Sequence, residues 1–211
     1  MAVLFANNNS LSAITTLPAS VSGGAMTLIK EQTASSSATI SFVNGTSDVV
    51  ISSTYPIYKF VYINVHPSQQ VGDGEEFLFN FSVDTGSNYN VTKTSTYFTA
   101  YHPENDGANT LAYGASGDLA QGTGFQQLAG DHDADNDSST SGELWLFNPS
   151  DTTFVKHFLA TNNYMHSNPA SINVFAAGYG NTTSAVDAVQ FKFSAGNIDA
   201  GTFKLYGIKD S

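Results

Sequence analysis

The segment of this sequence with the clearest capacity for chemistry is an acidic run, Asp131-His-Asp-Ala-Asp-Asn-Asp137. Its carboxylates stand at alternate positions, which are Asp131, Asp133, Asp135 and Asp137. Because Ca²⁺ prefers hard oxygen ligands spaced along a loop, the run is a candidate calcium site. The match to a calcium loop is incomplete, since Asn136 replaces the sharp-turn glycine and Gly142 replaces the bidentate glutamate. The alternative is an acidic loop that is solvated and merely charged.

A second carboxylate motif, Val83-Asp-Thr-Gly-Ser-Asn88, follows a run rich in phenylalanine. It resembles the active-site strand of aspartic proteases, in which two Asp-Thr-Gly carboxylates share one proton. The sequence holds this triplet once, at Asp84, so a symmetric homodimer would be needed to assemble the pair. The alternative is a strand-ending turn in which Asp84 accepts local hydrogen bonds and Gly86 supplies a positive φ. We expect no catalytic residue and keep a homodimeric aspartic protease as an alternative function.

Aromatic residues with polar neighbours form the third candidate site. Flat rings flanked by amides and carboxylates suit the recognition of pyranose sugars. The candidates for binding a glycan or a partner are Trp145, Tyr97, Tyr101 and Tyr113. The alternative is that these rings belong to the core or to subunit contacts, because aromatic residues make up 12% of the chain.

The charge balance argues against whole classes of partner. Lysines number 7, arginine is absent, and 18 aspartates and glutamates bring the net charge to −11. We expect no nucleic-acid binding, because basic side chains that neutralise phosphates supply most non-specific affinity. The absence of cysteine excludes disulfides and thiolate chemistry. No apolar run approaches the ~20 residues of a membrane span and the start lacks a basic leader, so we expect synthesis in the cytoplasm without membrane insertion.

Alternating apolar residues predict the strands that must position these groups. In the run 77–84, Phe77, Phe79, Phe81 and Val83 share one face, and Asn80, Ser82 and Asp84 share the other. This pattern predicts an antiparallel strand with one buried face. Val189, Phe191 and Phe193 predict a second strand, and Phe203 and Leu205 predict a third.

Weaker strand patterns recur between clusters of Gly, Ser, Asn and Asp. They cover 26–32, 38–43, 57–65, 97–101, 142–147, 154–159 and 170–177. About ten short strands at such spacing predict an all-β fold, a single antiparallel β-sandwich of jelly-roll type. The longest interruption, 102–141, is rich in glycine and is predicted to be a loop that serves function.

The start of the chain predicts an extended N-terminal arm, 1–25, ahead of a sandwich domain, 26–211. The arm is small and polar, and its isolated apolar residues are too few for a core of their own. They are Leu11, Ile14, Leu17 and Val21. We expect the arm to dock on a neighbouring subunit, with a frayed or locally bound terminus as the alternative.

Three segments resemble parts of phage structural proteins from marine and environmental sources. They are Val186-Asp-Ala-Val-Gln-Phe191, Gly196-Asn-Ile-Asp-Ala-Gly-Thr-Phe-Lys-Leu-Tyr-Gly-Ile208 and Tyr55-Pro-Ile-Tyr-Lys-Phe-Val-Tyr-Ile-Asn-Val65. The resemblance implies a jelly-roll-like sandwich on a virion, as a head decoration or cement protein, a head fibre, or a tail-fibre or adhesin tip. It carries over no catalytic residue, and around the terminal strand Gly201 and Gly207 would allow close backbone approach.

These patterns together predict a non-enzymatic virion protein of a bacteriophage. The expected partners are further copies of itself, as a trimer by analogy with such proteins, and capsid or tail proteins. The first alternative is a carbohydrate-binding adhesin or tail-fibre tip that recognises a host-surface glycan, with Ca²⁺ as a candidate cofactor. The second alternative is the homodimeric aspartic protease.

Overall fold

Alternating burial along the chain produces twelve β-strands and no helix in the described residues, 25–72 and 74–209 of a computed structural model. The strands are β1 Met26–Ser37, β2 Ile40–Val43, β3 Ile57–Pro67, β4 Glu75–Ser82, β5 Lys93–Pro103, β6 Thr110–Tyr113, β7 Gln126–His132, β8 Thr140–Phe147, β9 Lys156–His166, β10 Ala170–Gly180, β11 Ala188–Phe193 and β12 Ile198–Ile208. Within those ranges no helix is long and apolar enough to cross a membrane. The predicted arm, 1–25, lies outside the described residues except for Ala25, and its four apolar residues are all among those outside.

Eight strands form two facing four-stranded sheets with jelly-roll order. One sheet runs β1-β12-β3-β8 and the other runs β2-β11-β4-β7. The first strand pairs with the last, and the pairs β1·β12, β2·β11, β3·β8 and β4·β7 follow one another inward along the chain, as in one long antiparallel hairpin. In a jelly roll this hairpin is wrapped around a core, which places β12 next to β3 and β11 next to β4. Both of these additional pairs are present. The predicted all-β sandwich is therefore confirmed.

The remaining four strands widen the first sheet beyond β8. The order there is β8-β9-β10-β5-β6, with β10 paired along its whole length to both neighbours. We call β5, β6, β9 and β10 the extension. At the same edge a single residue pair, His132 with His166, joins β7 of the second sheet to β9.

Each predicted strand is found, although most are longer than expected, and the prediction of one long loop at 102–141 is wrong. That segment contains β6, β7 and the start of β8. Strand β7 was hidden because Gly130 and polar residues surround its apolar pair, Leu128 and Ala129, which are fully buried against β4. Two irregularities in the β4–β7 pairing further blur its alternation.

The prediction that β4 buries one face is also wrong, because both of its faces are covered. Phe77, Phe79 and Phe81 are fully buried, but so is Asn80 on the opposite face. The side-chain amide of Asn80 donates hydrogen bonds to the backbone carbonyl of Tyr89 at 2.7 Å and to that of Thr123 at 3.1 Å. Loops folded over this face satisfy the polar side chains that the sequence pattern assigned to solvent.

Interlocked aromatic rings join the two sheets. Phe191 of β11 lies 5.5–6.4 Å, between ring centroids, from five other rings, mostly in edge-on or tilted orientations. These are Phe60, Tyr62, Phe77, Phe79 and Phe203. Three of them belong to the first sheet, so the cluster spans the interior from one sheet to the other. Each such pair contributes ~0.5–1.5 kcal/mol beyond area burial.

The terminal strand needs the glycines that the sequence singled out. Gly201 has φ +138°, a conformation that disfavours other residues, and a Cβ there would lie 3.0 Å from the backbone of Val65. At the other end of β12, the backbone N–H of Lys209 donates to the carbonyl of Ala25 at 3.1 Å. The two ends of the described chain therefore meet at one edge of the sandwich.

Replacing Phe191 by alanine is expected to lower the free energy of unfolding by about 3–5 kcal/mol, because it opens a cavity between the sheets. Urea unfolding followed by circular dichroism measures this loss. The matched control is Phe154→Ala, whose ring is 70% exposed and whose truncation should change stability by less than about 0.5 kcal/mol. Equal effects of the two substitutions would show that the cluster does not hold the sheets together.

Candidate functional site

The extension and the neighbouring strand β8 together present a largely apolar surface to solvent, which we call the outer face. Its residues stand side by side across the strands in two main rows. The first row is Trp145, Leu159, Ala177 and Thr96. The second row is Glu143, Thr161, Phe175, Phe98 and Tyr113. The rings of Phe98 and Phe175 stack with centroids 5.0 Å apart and planes 13° apart, which gives the face a rigid flat centre.

Large apolar side chains stay exposed on this face. Leu159 is 51% exposed, and Leu111 on the edge strand β6 is 73% exposed. Beside the first row, Phe147, His157 and Tyr179 border a groove of about 440 Å³. A contiguous exposed apolar surface on a globular protein usually marks a site of contact with another molecule.

The outer face carries little charge although the whole chain has a net charge of −11. Glu143 is the one carboxylate in its two rows. Its side chain is neutralised by Lys59, whose Nζ lies 2.5 Å from Glu143 Oε2. This ion pair opposes the burial of Glu143 and holds the pKa of the carboxyl below its usual range. The two rows therefore hold no unpaired carboxylate.

Two of the four aromatic residues predicted to bind a glycan or a partner, Trp145 and Tyr113, lie on the outer face. The indole N–H of Trp145 donates to Glu143 at 2.8 Å, and Lys59 Nζ lies 4.5 Å from the ring centroid. A cation thus already covers one side of the Trp145 ring. Tyr113 is 56% exposed, and its hydroxyl donates to Asp118. Both rings suit contact with a partner surface.

The other two predicted aromatic residues, Tyr97 and Tyr101, lie on the opposite face of β5. There they line a separate polar pocket of about 220 Å³. Its other principal lining side chains are Ser116, Gln127, Asp131, Tyr164 and His166. The four rings predicted from the sequence therefore divide between two different surfaces.

The polar pocket contains an oriented histidine–carboxylate pair. The backbone N–H of Asn168 donates to His166 Nδ1 at 2.9 Å, so a neutral His166 carries its proton on Nε2. That nitrogen lies 3.5 Å from the Asp131 carboxylate. Asp131 itself has φ +48°, a left-handed conformation that a non-glycine residue adopts at some energetic cost. The backbone is thus shaped to place this carboxylate beside the pocket.

The acidic run does not come together as a metal site. Asp133 is buried and its carboxylate accepts the backbone N–H of Asp135 at 3.2 Å, whereas Asp135 and Asp137 are exposed. Within residues 25–72 and 74–209, no group of three or more His, Asp or Glu side chains is placed to hold a metal ion. The calcium interpretation thus receives no support from the geometry.

The Asp-Thr-Gly motif forms the turn that was predicted as its alternative. The Asp84 carboxylate accepts the hydroxyl of Ser82 at 2.7 Å, the backbone N–H of Asn88 at 2.9 Å and the Asn88 side-chain amide at 2.7 Å. These bonds hold the pKa of Asp84 below its usual range, with the Asn88 side chain contributing most. Gly86 has φ +76°. The carboxylate serves a turn, and the geometry offers no support for a protonated catalytic dyad.

Sequence reasoning missed a buried lysine. Lys93 is fully buried, and its Nζ donates to Asn80 Oδ1 at 2.5 Å and to the carbonyl of Val91 at 2.8 Å. Burial lowers the pKa of Lys93 to about 7. The hydrogen bond to Asn80 links β5 to β4. Because the Lys93 side chain does not reach solvent, its amine is inaccessible to external substrates. A lysine between threonines gives no sequence signal of burial.

Sequence reasoning also missed a buried histidine at the junction of the two sheets. His132 is fully buried, its Nδ1 lies 2.6 Å from the carbonyl oxygen of Asp133, and its ring stacks on Tyr164 at 5.9 Å. Its Nε2 is buried without a hydrogen-bond partner among the described residues. Burial lowers the pKa of His132 to about 4, with a smaller contribution from His66. The ring is therefore neutral at pH 7.

Comparisons with known proteins gave no match: no family model, no curated protein and no solved structure matches the chain. The interpretation of its surfaces therefore depends on their own geometry. By fold and topology the chain is a jelly-roll β-sandwich with one widened sheet.

The buried His132 is expected to make the protein less stable in acid. An unfolded histidine binds a proton near pH ~6.5, whereas His132 in the folded protein does so at about pH 4. The stability present above pH ~6.5 is therefore lost as the pH falls toward 4, by on the order of 3 kcal/mol. Urea unfolding of the wild type and of His132→Phe at several pH values measures this difference.

Carboxylates also titrate in this range, so the comparison with His132→Phe isolates the histidine. This variant keeps an aromatic ring and should lose less stability than the wild type between pH 7 and 4. The control is His102→Phe, at a side chain that is 57% exposed, which should keep the wild-type pH dependence. Identical pH profiles for the wild type and His132→Phe would contradict the prediction.

Proposed function

We propose that this chain is a non-enzymatic structural protein of a bacteriophage virion that self-assembles and binds neighbouring capsid or tail subunits. The observation that favours this function is the outer face, which exposes large apolar side chains and whose two rows hold no unpaired carboxylate. The resemblance to phage structural proteins supplies the virion setting. The three segments that resemble phage structural proteins fall largely on β3, β11 and β12, which are core strands of the jelly roll.

Electrostatics favour the outer face as the contact between copies. Two molecules that each carry a net charge of −11 repel one another over most approaches. The two rows of the outer face weaken this repulsion, because their one carboxylate is already paired with Lys59. Phe98 and Phe175 at its centre can bury apolar area without separating an ion pair.

The size of the outer face suits this role. Five strands about 4.8 Å apart, each with about 20 Å of outward-facing residues, give about 400 Å² of projected area. Patches of about 300–600 Å² on soluble proteins are often functional. A standard interface covers ~800 Å² per partner, so polar residues around the face would complete the contact. A trimer remains the expected oligomer.

Placing lysines on the outer face is expected to abolish self-association. The double variant Leu159→Lys/Phe175→Lys puts two unpaired cations at the centre of the proposed contact, where their desolvation is costly. Light scattering coupled to size exclusion should show a multiple of the 22.4 kDa chain mass for the wild type and the single-chain mass for this variant.

The matched control is Val71→Lys, which adds a cation at a residue that is 60% exposed in a loop away from the outer face. This variant should keep the wild-type mass. A wild type that stays monomeric at high concentration, or a double variant that still assembles, would overturn the proposed contact. Antibody labelling of intact particles of a phage that encodes the chain tests the virion assignment separately. Particles that the antibody does not label would argue against that assignment.

A further inference from the structure

We propose that the polar pocket on the inner side of β5 binds one neutral pyranose ring, the chemistry of a residue in a surface glycan. The pocket lies between β5, β7, β9 and the loop after β6. The proposal does not depend on the assembly function, because the outer face lies on the other side of β5. It also moves the predicted sugar site away from Trp145 and Tyr113.

Aromatic rings form the walls of the pocket. Tyr101 stands at 88° to His166 with ring centroids 6.3 Å apart, and Tyr164 stacks beside His166 at 6.4 Å. A corner of flat rings gives the C–H-rich face of a pyranose an apolar surface to rest on. Gly114 packs directly against the ring of Tyr97, where a Cβ would lie 2.7 Å from that ring.

The polar groups of the pocket are rich in acceptors. Gln127 Oε1 is a buried acceptor with no partner among the described residues, and an unpaired buried acceptor is costly. The Asp131 carboxylate faces the pocket and makes one long contact, at 3.5 Å, with His166. A sugar hydroxyl group would supply the donor that buried Gln127 Oε1 lacks, and a second hydroxyl could donate to the exposed Asp131 carboxylate. Ser116 adds a hydroxyl that can donate or accept.

Charge selects neutral sugars over acidic ones. Asp131 brings a negative charge to the pocket, and Glu76 lies close enough for the two charges to interact. Burial raises the pKa of Glu76, and the charge of Asp131 raises it further. A sialic or uronic acid would place a third carboxylate against this pair, in a protein whose net charge is −11.

Volume limits the ligand to a single ring. The pocket encloses about 220 Å³, which is less than the roughly 300–1,000 Å³ of pockets for drug-sized ligands. One pyranose of about a dozen heavy atoms would bind with Kd on the order of 1 mM. Useful affinity for a surface would then come from several copies in one oligomer.

Saturation-transfer NMR of the full chain with simple methyl pyranosides tests the proposal. The probes are the methyl glycosides of glucose, galactose, mannose, N-acetylglucosamine and sialic acid. We expect saturation transfer to at least one neutral sugar and none to the sialoside. Asp131→Asn should weaken binding of that sugar by at least about tenfold, because it removes a charged hydrogen-bond acceptor.

A second pocket variant and an outer-face control guard against loss of fold. Tyr101→Ala, at a partly buried ring on the pocket wall, should abolish binding while the circular dichroism spectrum stays unchanged. The control is Tyr113→Ala on the outer face, which should bind as the wild type does. Binding of no neutral sugar, a preference for the sialoside, or loss with Tyr113→Ala alone would each overturn the proposal. None of these outcomes affects the assembly measurement, so the two proposals fail separately.

Discussion

The structure depends on one constraint: the two sheets must share a single aromatic interior. Phe191 lies at its centre and touches rings from both sheets. Because these rings interlock edge to face, the sheets cannot slide without separating several contacts at once. Phe158 of the extension packs against Phe79 and Phe81 and so belongs to the same interior.

The extension joins the second sheet mainly through side chains. Its strands continue the first sheet, and backbone pairing with the second sheet is limited to His132 with His166. The ring of Phe158 packs on Phe79 and Phe81 of β4 and adds contact between the extension and the second sheet. These two histidines face different surroundings, since His132 is sealed in the core and His166 borders the polar pocket. The ring of Tyr164 stacks on both histidines and lies at the boundary between the core and the pocket.

Much of the fold could be predicted from the sequence. Residues such as Phe191 and Phe203 alternate with polar neighbours, and that alternation reports burial directly. The covered second face of β4 could not be predicted, because Asn80 looks solvent-facing until loops distant in sequence close over it. Strand β7 could not be predicted either, because its pairing with β4 is irregular and polar residues surround its apolar pair.

The candidate sites were harder to predict than the strands. Tyr97 and Tyr113 are close in sequence, yet they lie on opposite sides of the sheet, a separation that depends on how β5 and β6 pair. The pairing of Asp131 with His166 joins residues from separate strands and depends on a left-handed backbone at Asp131. Residue type indicated which side chains could bind a ligand or partner. The strand topology determined which of these side chains lie on the same surface.

The meeting of the two chain ends has a consequence for architecture. Ala25 and Lys209 are hydrogen-bonded neighbours, and β1 and β12 lie side by side over most of their length. The described chain therefore enters and leaves the sandwich at the same corner. A tether through either Ala25 or Lys209 would attach the domain at that one corner and leave its other described surfaces accessible.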